Sequence, residues 1–343
     1  MGNKFLSEDQ TVAMKRMLAY LMLALSLAMQ VGANDGKEAF RLAAQPPQPA
    51  DNRSTPEREK LGKMLFFDPR LSGSNRMSCA SCHNPARDWS DGLPVAIGDD
   101  NKALKRRTPT LVNSGFNNLH IWDGRFKSLE EQAWGPILAA GEMHGSEEET
   151  LAKLRAIPEY AIAFERAYAG EGVTRATVGK AIATFERTLT SRDANFDQWI
   201  EGDEEAIGAS AKRGFELFVG KANCVACHQG PNFSDQGFHN IGIAGSEDEG
   251  RFAKVPIRIS RGAFKTPTLR DVALRGPYMH NGAYRTLEEV IDHYDRGGDD
   301  KSNLDPNMKA LQLSKDEKQC LMDFMKSLFG RQVAVVAPHL PQQ

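Results

Sequence analysis

The chain has 343 residues, of which 26% are charged, and its formal net charge is -2. That length is enough for about two domains. The near-neutral charge excludes a general polycation, and with it a nucleic-acid partner bound by bulk charge.

The N-terminus predicts an export signal over residues 1–33. Lys15 and Arg16 form a basic region, an apolar run follows over residues 18–29, and Val31-Gly32-Ala33 supplies small residues for cleavage. The apolar run is short for a membrane span, although an uncleaved anchor is the alternative. The signal predicts a mature chain in the periplasm.

The pattern after the signal predicts a mainly α fold with long loops and few strands. A short helix begins near Pro56. Ser146, Thr174 and Ser314 stand where they can cap later helices, whose apolar residues recur at helical spacing.

Two C-x-x-C-H runs are the most specific motifs in the chain. Cys79-Ala80-Ser81-Cys82-His83 returns as Cys224-Val225-Ala226-Cys227-His228. In such a run the two thiols add to vinyl groups of a porphyrin, and the histidine becomes an axial iron ligand. A lone copy could be a redox pair or half of a zinc site, but two copies that end in histidine indicate two covalently bound c-type haems. The fifth cysteine, Cys320, occupies an apolar helical position and is interpreted as a buried free thiol.

The acidic stretch 201–205 lies between the two runs and predicts a domain boundary. We therefore expect an N-terminal domain over residues 34–200 and a C-terminal domain over residues 201–343. Each would carry one haem, so the predicted fold is two tandem cytochrome c-like haem domains with long loops.

An internal repeat supports this duplication. Thr108-Pro109-Thr110-Leu111 reappears as Thr266-Pro267-Thr268-Leu269, at an offset of 158 residues. At the same offset, Ser128-Leu129-Glu130-Glu131 matches Thr286-Leu287-Glu288-Glu289. The two halves can therefore be compared residue by residue.

The comparison predicts that the two haems differ. The offset aligns Tyr294 with Pro136. If Tyr294 is the sixth ligand of the second iron, the matching residue over the first haem has no side-chain donor atom. One haem would then be closed and the other open to a small oxygen species, which favours an enzyme over a simple electron carrier.

Further motifs carry a family resemblance. Ile121-Trp122-Asp123-Gly124-Arg125, Glu131-Gln132-Ala133, Glu142-Met143 and Pro277-Tyr278-Met279-His280-Asn281-Gly282 occur in order around the two haem runs. From about residue 56 to residue 328, the chain resembles the bacterial dihaem cytochrome c peroxidase family, and within it the MauG-like branch. The resemblance implies a peroxidatic N-terminal haem and an electron-transfer C-terminal haem.

The resemblance also implies roles for three pocket residues. Trp122 matches a tryptophan between the haems, whose ring suits electron transfer, and plain packing is the alternative. Gln132 and Glu142 match distal pocket residues. A carboxylate such as Glu142 can have its pKa raised by apolar surroundings, and could then move a proton between the two peroxide oxygens. A solvated loop carboxylate is the alternative for Glu142.

Two ligand positions depart from typical members of the family. Asp99 stands where those members carry a displaceable distal histidine, so reductive activation is expected to be unnecessary. Tyr294 stands where typical members have a methionine ligand to the second haem, as in the MauG-like branch. Met279 is the competing ligand, and His293 is a further alternative.

The resemblance leaves a calcium ion open. Family members hold it between the domains with an asparagine side chain and two backbone carbonyls. The matching positions are Arg107, Arg275 and Pro277, so the asparagine is missing and Arg107 would repel a cation. Arg107 ends a basic cluster with Lys102, Lys105 and Arg106, which is either a solvated face or a site for haem propionates or an acidic redox partner.

The predicted function is a periplasmic dihaem c-type peroxidase. It would reduce hydrogen peroxide with electrons from a small cytochrome c or a cupredoxin. The alternative is a MauG-like enzyme that uses peroxide-derived high-valent iron to oxidise residues of a partner protein. A non-enzymatic dihaem electron carrier is a third hypothesis, and the sequence leaves homodimerisation open. The other histidines are interpreted as surface or loop residues: His120, His144, His239 and His339.

Overall fold

The computed structural model describes residues 36–332 and 334–342, so the predicted export signal lies outside the described residues. Contacts divide the chain into a unit of Met1–Arg41 and a unit of Leu42–Gln343. In the first unit, residues 36–38 form a short helical turn. The second unit holds both C-x-x-C-H runs. None of the helices in the described part of the chain combines the length and the apolar character that a membrane crossing needs.

The second unit consists mainly of short helices joined by long loops. Its α-helices are Pro56–Phe67, Cys79–Cys82, Leu129–Gln132, Trp134–Leu138, Glu147–Arg155, Pro158–Ala167, Arg175–Thr188, Asn195–Ile200, Ala209–Val219, Leu287–Asp295 and Lys315–Ser327. The strands form two antiparallel pairs, Ser191–Arg192 with Arg331–Gln332 and Phe238–His239 with Phe264–Lys265.

The helix starts follow the predicted caps. Pro56 is the first helical residue after Thr55, whose side chain accepts a hydrogen bond from the backbone N–H three residues on. Ser146, Thr174 and Ser314 cap their helices in the same way, each at 3.2 Å. These bonds satisfy donors that a helix leaves unpaired at its N-terminus.

A close helix crossing occurs in each half. The helix that precedes each haem run packs against a later helix, Pro56–Phe67 against Arg175–Thr188 and Ala209–Val219 against Lys315–Ser327. A Cβ on Gly62 would lie 1.9 Å from the carbonyl oxygen of Ala181. A Cβ on Gly214 would lie 2.0 Å from that of Cys320. Only glycine permits either crossing at this separation.

The 158-residue offset holds in three dimensions. The 3₁₀ helices Ser114–Phe116 and Val272–Leu274 are related by it. So are the isolated β-bridges that join residues 120 and 126 in one half and residues 278 and 284 in the other. Ile121 and Met279, also one offset apart, both have positive φ, at 62° and 69°.

Each half has its own core. The first half packs around the Pro56–Phe67 helix, with Leu65 and Phe66 fully buried. The second half has a cluster of aromatic rings whose neighbouring centroids lie 5.0–6.1 Å apart. Its members are Phe196, Trp199, Phe215, Phe218, Phe233 and Phe324.

The packing changes from one half to the other ahead of the predicted boundary at residues 200 and 201. The helix Asn195–Ile200 already belongs to the second half, because Phe196 and Trp199 enter its aromatic cluster. The C-terminal tail returns to the first half, where Val335 and Leu340 pack against the core and the carbonyl of Pro341 accepts a hydrogen bond from Arg70 at 3.0 Å. The acidic stretch 201–205 is an exposed turn.

Candidate active site

The first C-x-x-C-H run forms a single helical turn, Cys79–Cys82, with His83 at its end. The backbone N–H of His83 donates to the carbonyl of Cys79 at 2.9 Å. The ring Nδ1–H donates to the carbonyl of Trp89 at 3.0 Å. This bond orients the imidazole and leaves its Nε2 as a lone-pair donor. Burial lowers the pKa of His83, so the ring is neutral and can bind a metal.

The second run has the same arrangement. The 3₁₀ helix Cys224–Ala226 leads to His228, whose Nδ1–H donates to the carbonyl of Phe233 at 2.9 Å. Burial lowers the pKa of His228 to about 4. Both runs therefore present a neutral imidazole with one ring nitrogen fixed by a buried backbone carbonyl.

Both runs face one continuous cavity of about 970 Å³. The four thiols that line it are free of disulfides. Burial raises the pKa of Cys82 to about 11 and that of Cys224 to about 12, so they are protonated thiols at neutral pH. A c-type haem needs two thiols for covalent attachment and one neutral imidazole for its iron, and the two runs each supply this set.

Three predicted distal residues lie on the wall of this cavity. Gln132 and Pro136 lie on the consecutive helices Leu129–Gln132 and Trp134–Leu138, and Glu142 follows in the next loop. The side chain of Gln132 is 8% exposed, and its Oε1 has no hydrogen-bond partner. An amide oxygen that is buried and unpaired at a cavity wall is available to a ligand.

Backbone hydrogen bonds fix the loop that carries Glu142. The N–H of Met143 donates to the carbonyl of Pro136 at 3.1 Å, and the N–H of Glu142 donates to that of Ala139 at 2.9 Å. Burial raises the pKa of the Glu142 carboxyl, and Arg125 offsets part of the rise. The site therefore holds a carboxyl that can exchange a proton nearer to neutral pH than a solvated glutamate can.

The family model described as di-haem cytochrome c peroxidase matches residues 56–205, and the cytochrome c model matches residues 211–329. The methylamine utilization protein MauG of Methylorubrum extorquens is 47% identical over 308 residues, which cover 89% of this chain and 87% of that protein. The chain belongs to the di-haem cytochrome c peroxidase family.

Other members extend this result. Cytochrome c551 peroxidase of Pseudomonas aeruginosa is 35% identical over 86% of each chain. The crystal structure of a MauG-like protein associated with microbial copper homeostasis aligns with a TM-score of 0.79 at 31% identity, covering 84% of this chain and 93% of that one. Membership confirms the predicted mainly α fold with two cytochrome c-type domains. It also makes this protein a haem-binding oxidoreductase that acts on peroxide.

Asp99, which the resemblance aligns with a displaceable histidine of typical members, makes other contacts here. Its carboxylate accepts hydrogen bonds from the hydroxyl of Ser74 and, at 3.2 Å, from the backbone N–H of Ser74. Its own N–H donates to the carbonyl of Glu142 at 2.8 Å. Asp99 therefore supports the loop that carries Glu142.

Trp122 lies at the junction of the two halves and lines the same cavity. Its indole Nε1–H donates to the carbonyl of Arg107 at 2.8 Å, and its own carbonyl accepts from the N–H of Lys265 at 2.8 Å. Its ring lies edge-on to that of His280, with the centroids 6.5 Å apart. The indole N–H thus fixes the ring, and the backbone carbonyl fixes the residue that carries it.

Of the three candidate sixth ligands near the second run, two line the cavity. Tyr294 and Met279 are both on its wall. Burial, with Cys224 and Cys227 adding to it, raises the pKa of Tyr294. His293 is fully buried, and its Nδ1 lies 2.9 Å from Tyr284 Oη while its Nε2–H donates to the carbonyl of Ile241. Both ring nitrogens of His293 are therefore occupied, which removes it from the candidates.

Of the isolated histidines, which were interpreted as surface or loop residues, two are less exposed than a surface position implies. His120 is buried and lines the cavity. His239 lies between Asp235 and Asp305, with its ring nitrogens 2.8 and 2.7 Å from their carboxylates. A single histidine outside a periodic pattern gives no signal of its burial.

The residues of the basic cluster differ in exposure and in their partners. Lys102 is exposed and pairs with Asp100. Arg106 instead bridges Asp123 and Asp248 at 2.7 and 2.6 Å, and Arg107 is buried. The cluster is therefore not a continuous solvated face.

The sequence analysis assigned no role to two other groups on the cavity wall. His280 stacks on Phe264 with the ring centroids 3.7 Å apart and the planes 10° from parallel. Glu186 is buried, its Oε2 has no partner, and burial raises its pKa to about 8. The sequence offers one signal for the burial of Glu186: this charged residue directly follows Phe185, which belongs to the apolar stripe of a predicted helix.

Proposed function

We propose that this protein is a periplasmic dihaem c-type peroxidase that reduces hydrogen peroxide at its first haem. Cys79 and Cys82 would attach that haem, and His83 would bind its iron. The second run would hold the electron-transfer haem in the same way, through Cys224, Cys227 and His228. The export signal predicted at residues 1–33 supports the location.

The observation that carries the proposal is the composition of the distal wall. Pro136 occupies the position that the repeat equates with Tyr294, and a proline side chain has no donor atom. Gln132 and Glu142 line the same cavity. This combination suits a small oxygen ligand that needs hydrogen bonds and a proton acceptor.

When bound, the haem would supply the peroxide-binding centre and the redox chemistry. Glu142 takes the proton from one peroxide oxygen and returns it to the other, which leaves as water. The free amide oxygen of Gln132 accepts a hydrogen bond from the peroxide and orients it. In total, one peroxide takes up two electrons and two protons and gives two waters.

Trp122 is the proposed electron relay between the two sites. Hydrogen bonds from its indole N–H and to its carbonyl hold the ring at the junction of the halves. Electrons would come from a small cytochrome c or a cupredoxin through the second haem. A rigid aromatic ring at this point divides the electron transfer into two steps, each over a shorter distance.

Rapid mixing tests the proposal. The fully oxidised holoenzyme is combined with peroxide and then with a reduced small cytochrome c or cupredoxin, and oxidation of the donor is followed by absorbance. Rapid oxidation of two donor equivalents per peroxide is the expected result. No reaction with peroxide, before or after reduction, would refute the proposal.

Two observations favour a second candidate, a MauG-like enzyme that oxidises residues of a partner protein. Tyr294 lines the cavity at the second haem site, and Asp99 is engaged with Ser74 rather than placed as a ligand. In this case the two oxidising equivalents pass to a protein substrate instead of being quenched by a donor. A peroxide-treated enzyme that stays oxidising for long periods and reacts slowly with reduced cytochrome c would support this candidate.

A further inference from the structure

Arg107 is bonded to both halves of the molecule at once. It is 7% exposed. Its backbone N–H donates to the carbonyl of His280 at 2.7 Å, and its carbonyl accepts the indole N–H of Trp122 at 2.8 Å. Its guanidinium donates to the carbonyl of Arg275 in the second half and to the hydroxyl of Ser90 in the first, the latter at 3.3 Å.

These contacts do not fit the interdomain calcium site that the family resemblance leaves open. That site would use a side-chain oxygen at position 107 and the carbonyls of Arg275 and Pro277. Here position 107 provides a cation instead of an oxygen ligand, and the guanidinium already uses the carbonyl of Arg275. Calcium requires six to eight oxygen ligands, so losing two of them leaves a poor site.

The surrounding charges also disfavour a second cation. Burial and the neighbouring Arg275 lower the pKa of Arg107 to about 10, so its guanidinium is still charged at neutral pH. The Arg275 guanidinium is buried as well and pairs with Asp88 at 3.2 Å. A divalent ion here would face two positive side chains in a region of weak screening.

We propose that the Arg107 guanidinium takes the place of the interdomain calcium ion and fastens the two halves around Trp122. The positive charge is covalently part of the chain, so it is neither lost to chelators nor dependent on calcium supply. The integrity of the Trp122 junction is therefore independent of calcium. This role of Arg107 is the same whether the enzyme takes electrons from a small redox protein or oxidises residues of a partner protein.

The native holoenzyme gives the first test. The full mature chain is treated with a calcium chelator, passed through a desalting column, and compared with a sample in millimolar calcium. We expect substoichiometric calcium by elemental analysis, and identical thermal unfolding and haem spectra in the two samples. One calcium per chain, or unfolding at a lower temperature after chelation, would overturn the proposal.

Two substitutions provide the second test. Arg107→Asn restores an oxygen ligand and frees the carbonyl of Arg275. Without calcium, we expect this variant to unfold at a lower temperature than the native enzyme. Its unfolding temperature should rise progressively as calcium is added, because a ligand that binds only the folded state stabilises that state. Arg107→Lys keeps a positive charge and should show no response to calcium. The proposal would be contradicted if calcium left the unfolding temperature of Arg107→Asn unchanged. It would also be contradicted if calcium raised the unfolding temperature of Arg107→Lys.

Discussion

The backbone N–H of Asp99 donates a hydrogen bond to the carbonyl of Glu142 at 2.8 Å. The loops that carry the two residues are in close contact, since a Cβ on Gly98 would lie 1.9 Å from the carbonyl oxygen of Gly141. Ser74 anchors the Asp99 carboxylate from the other side. The segment that contains Asp99 therefore supports the loop of Glu142, the proposed proton carrier.

Replacing Glu142 with glutamine should lower peroxide turnover by about 10²- to 10⁴-fold, the usual contribution of a positioned acid or base. The amide keeps the shape of the side chain but cannot accept and return a proton. Steady-state kinetics with a reduced cytochrome c would measure the loss. Glu148→Gln changes an exposed carboxylate and should leave turnover unaltered. Equal activity of the two variants would rule out the assigned role.

The pH dependence of peroxide turnover should change when Arg125 is replaced. Glu142 must be ionised to take the first proton, so activity falls as the pH drops through its raised pKa. Because the charge of Arg125 lowers this pKa, Arg125→Leu should raise it further and move the acid limb to higher pH. Arg125→Lys keeps the charge, so the pH at which activity falls on the acid side should hardly change. The shift is expected to shrink at high salt, since Arg125 is partly exposed.

Trp122→Phe should slow turnover with a reduced donor by about tenfold or more, which corresponds to ~1.4 kcal/mol of barrier. The rate of reaction with peroxide in the absence of donor should not change. Trp134→Phe is a matched control, because that indole also donates to a backbone carbonyl at 2.8 Å. If both variants slow turnover equally, loss of packing rather than electron relay explains the effect.

Low-temperature EPR of two variants separates the candidate ligands of the second haem. Tyr294→Phe removes the phenol oxygen and should change the low-spin signal, whereas Met279→Leu should preserve it. The opposite pattern would make Met279 the ligand. Both side chains line the cavity, so neither substitution is remote from the haem.

Gly62→Ala should destabilise the first half by about 1–3 kcal/mol or more, because the added methyl overlaps the Ala181 carbonyl. Chemical denaturation of the holoenzyme would measure the change. Gly208→Ala places a methyl group where nothing lies within 4 Å and should have a much smaller effect. Similar losses in both variants would contradict a tight helix crossing at Gly62.

Local patterns predicted the scaffold well. The caps at Ser146, Thr174 and Ser314 are properties of a few neighbouring residues, and the structure contains each one. The offset of 158 residues is a property of the whole sequence, and it correctly paired the turns that contain Ile121 and Met279. Both kinds of signal can be read without knowledge of the tertiary fold.

Contacts between distant loops could not be predicted in this way. The stack of His280 on Phe264 joins segments that have no shared pattern. Burial of His120 and the early change of packing at Phe196 likewise depend on how the two halves meet. Such features follow from tertiary packing, which overrides what an isolated residue suggests.

The central claim is that the first haem site is open without prior reduction. EPR of the fully oxidised holoenzyme, recorded before and after one equivalent of peroxide, tests it most directly. One high-spin and one low-spin haem should be present, and peroxide alone should consume the high-spin signal. Two low-spin haems that react with peroxide only after reduction would contradict the claim.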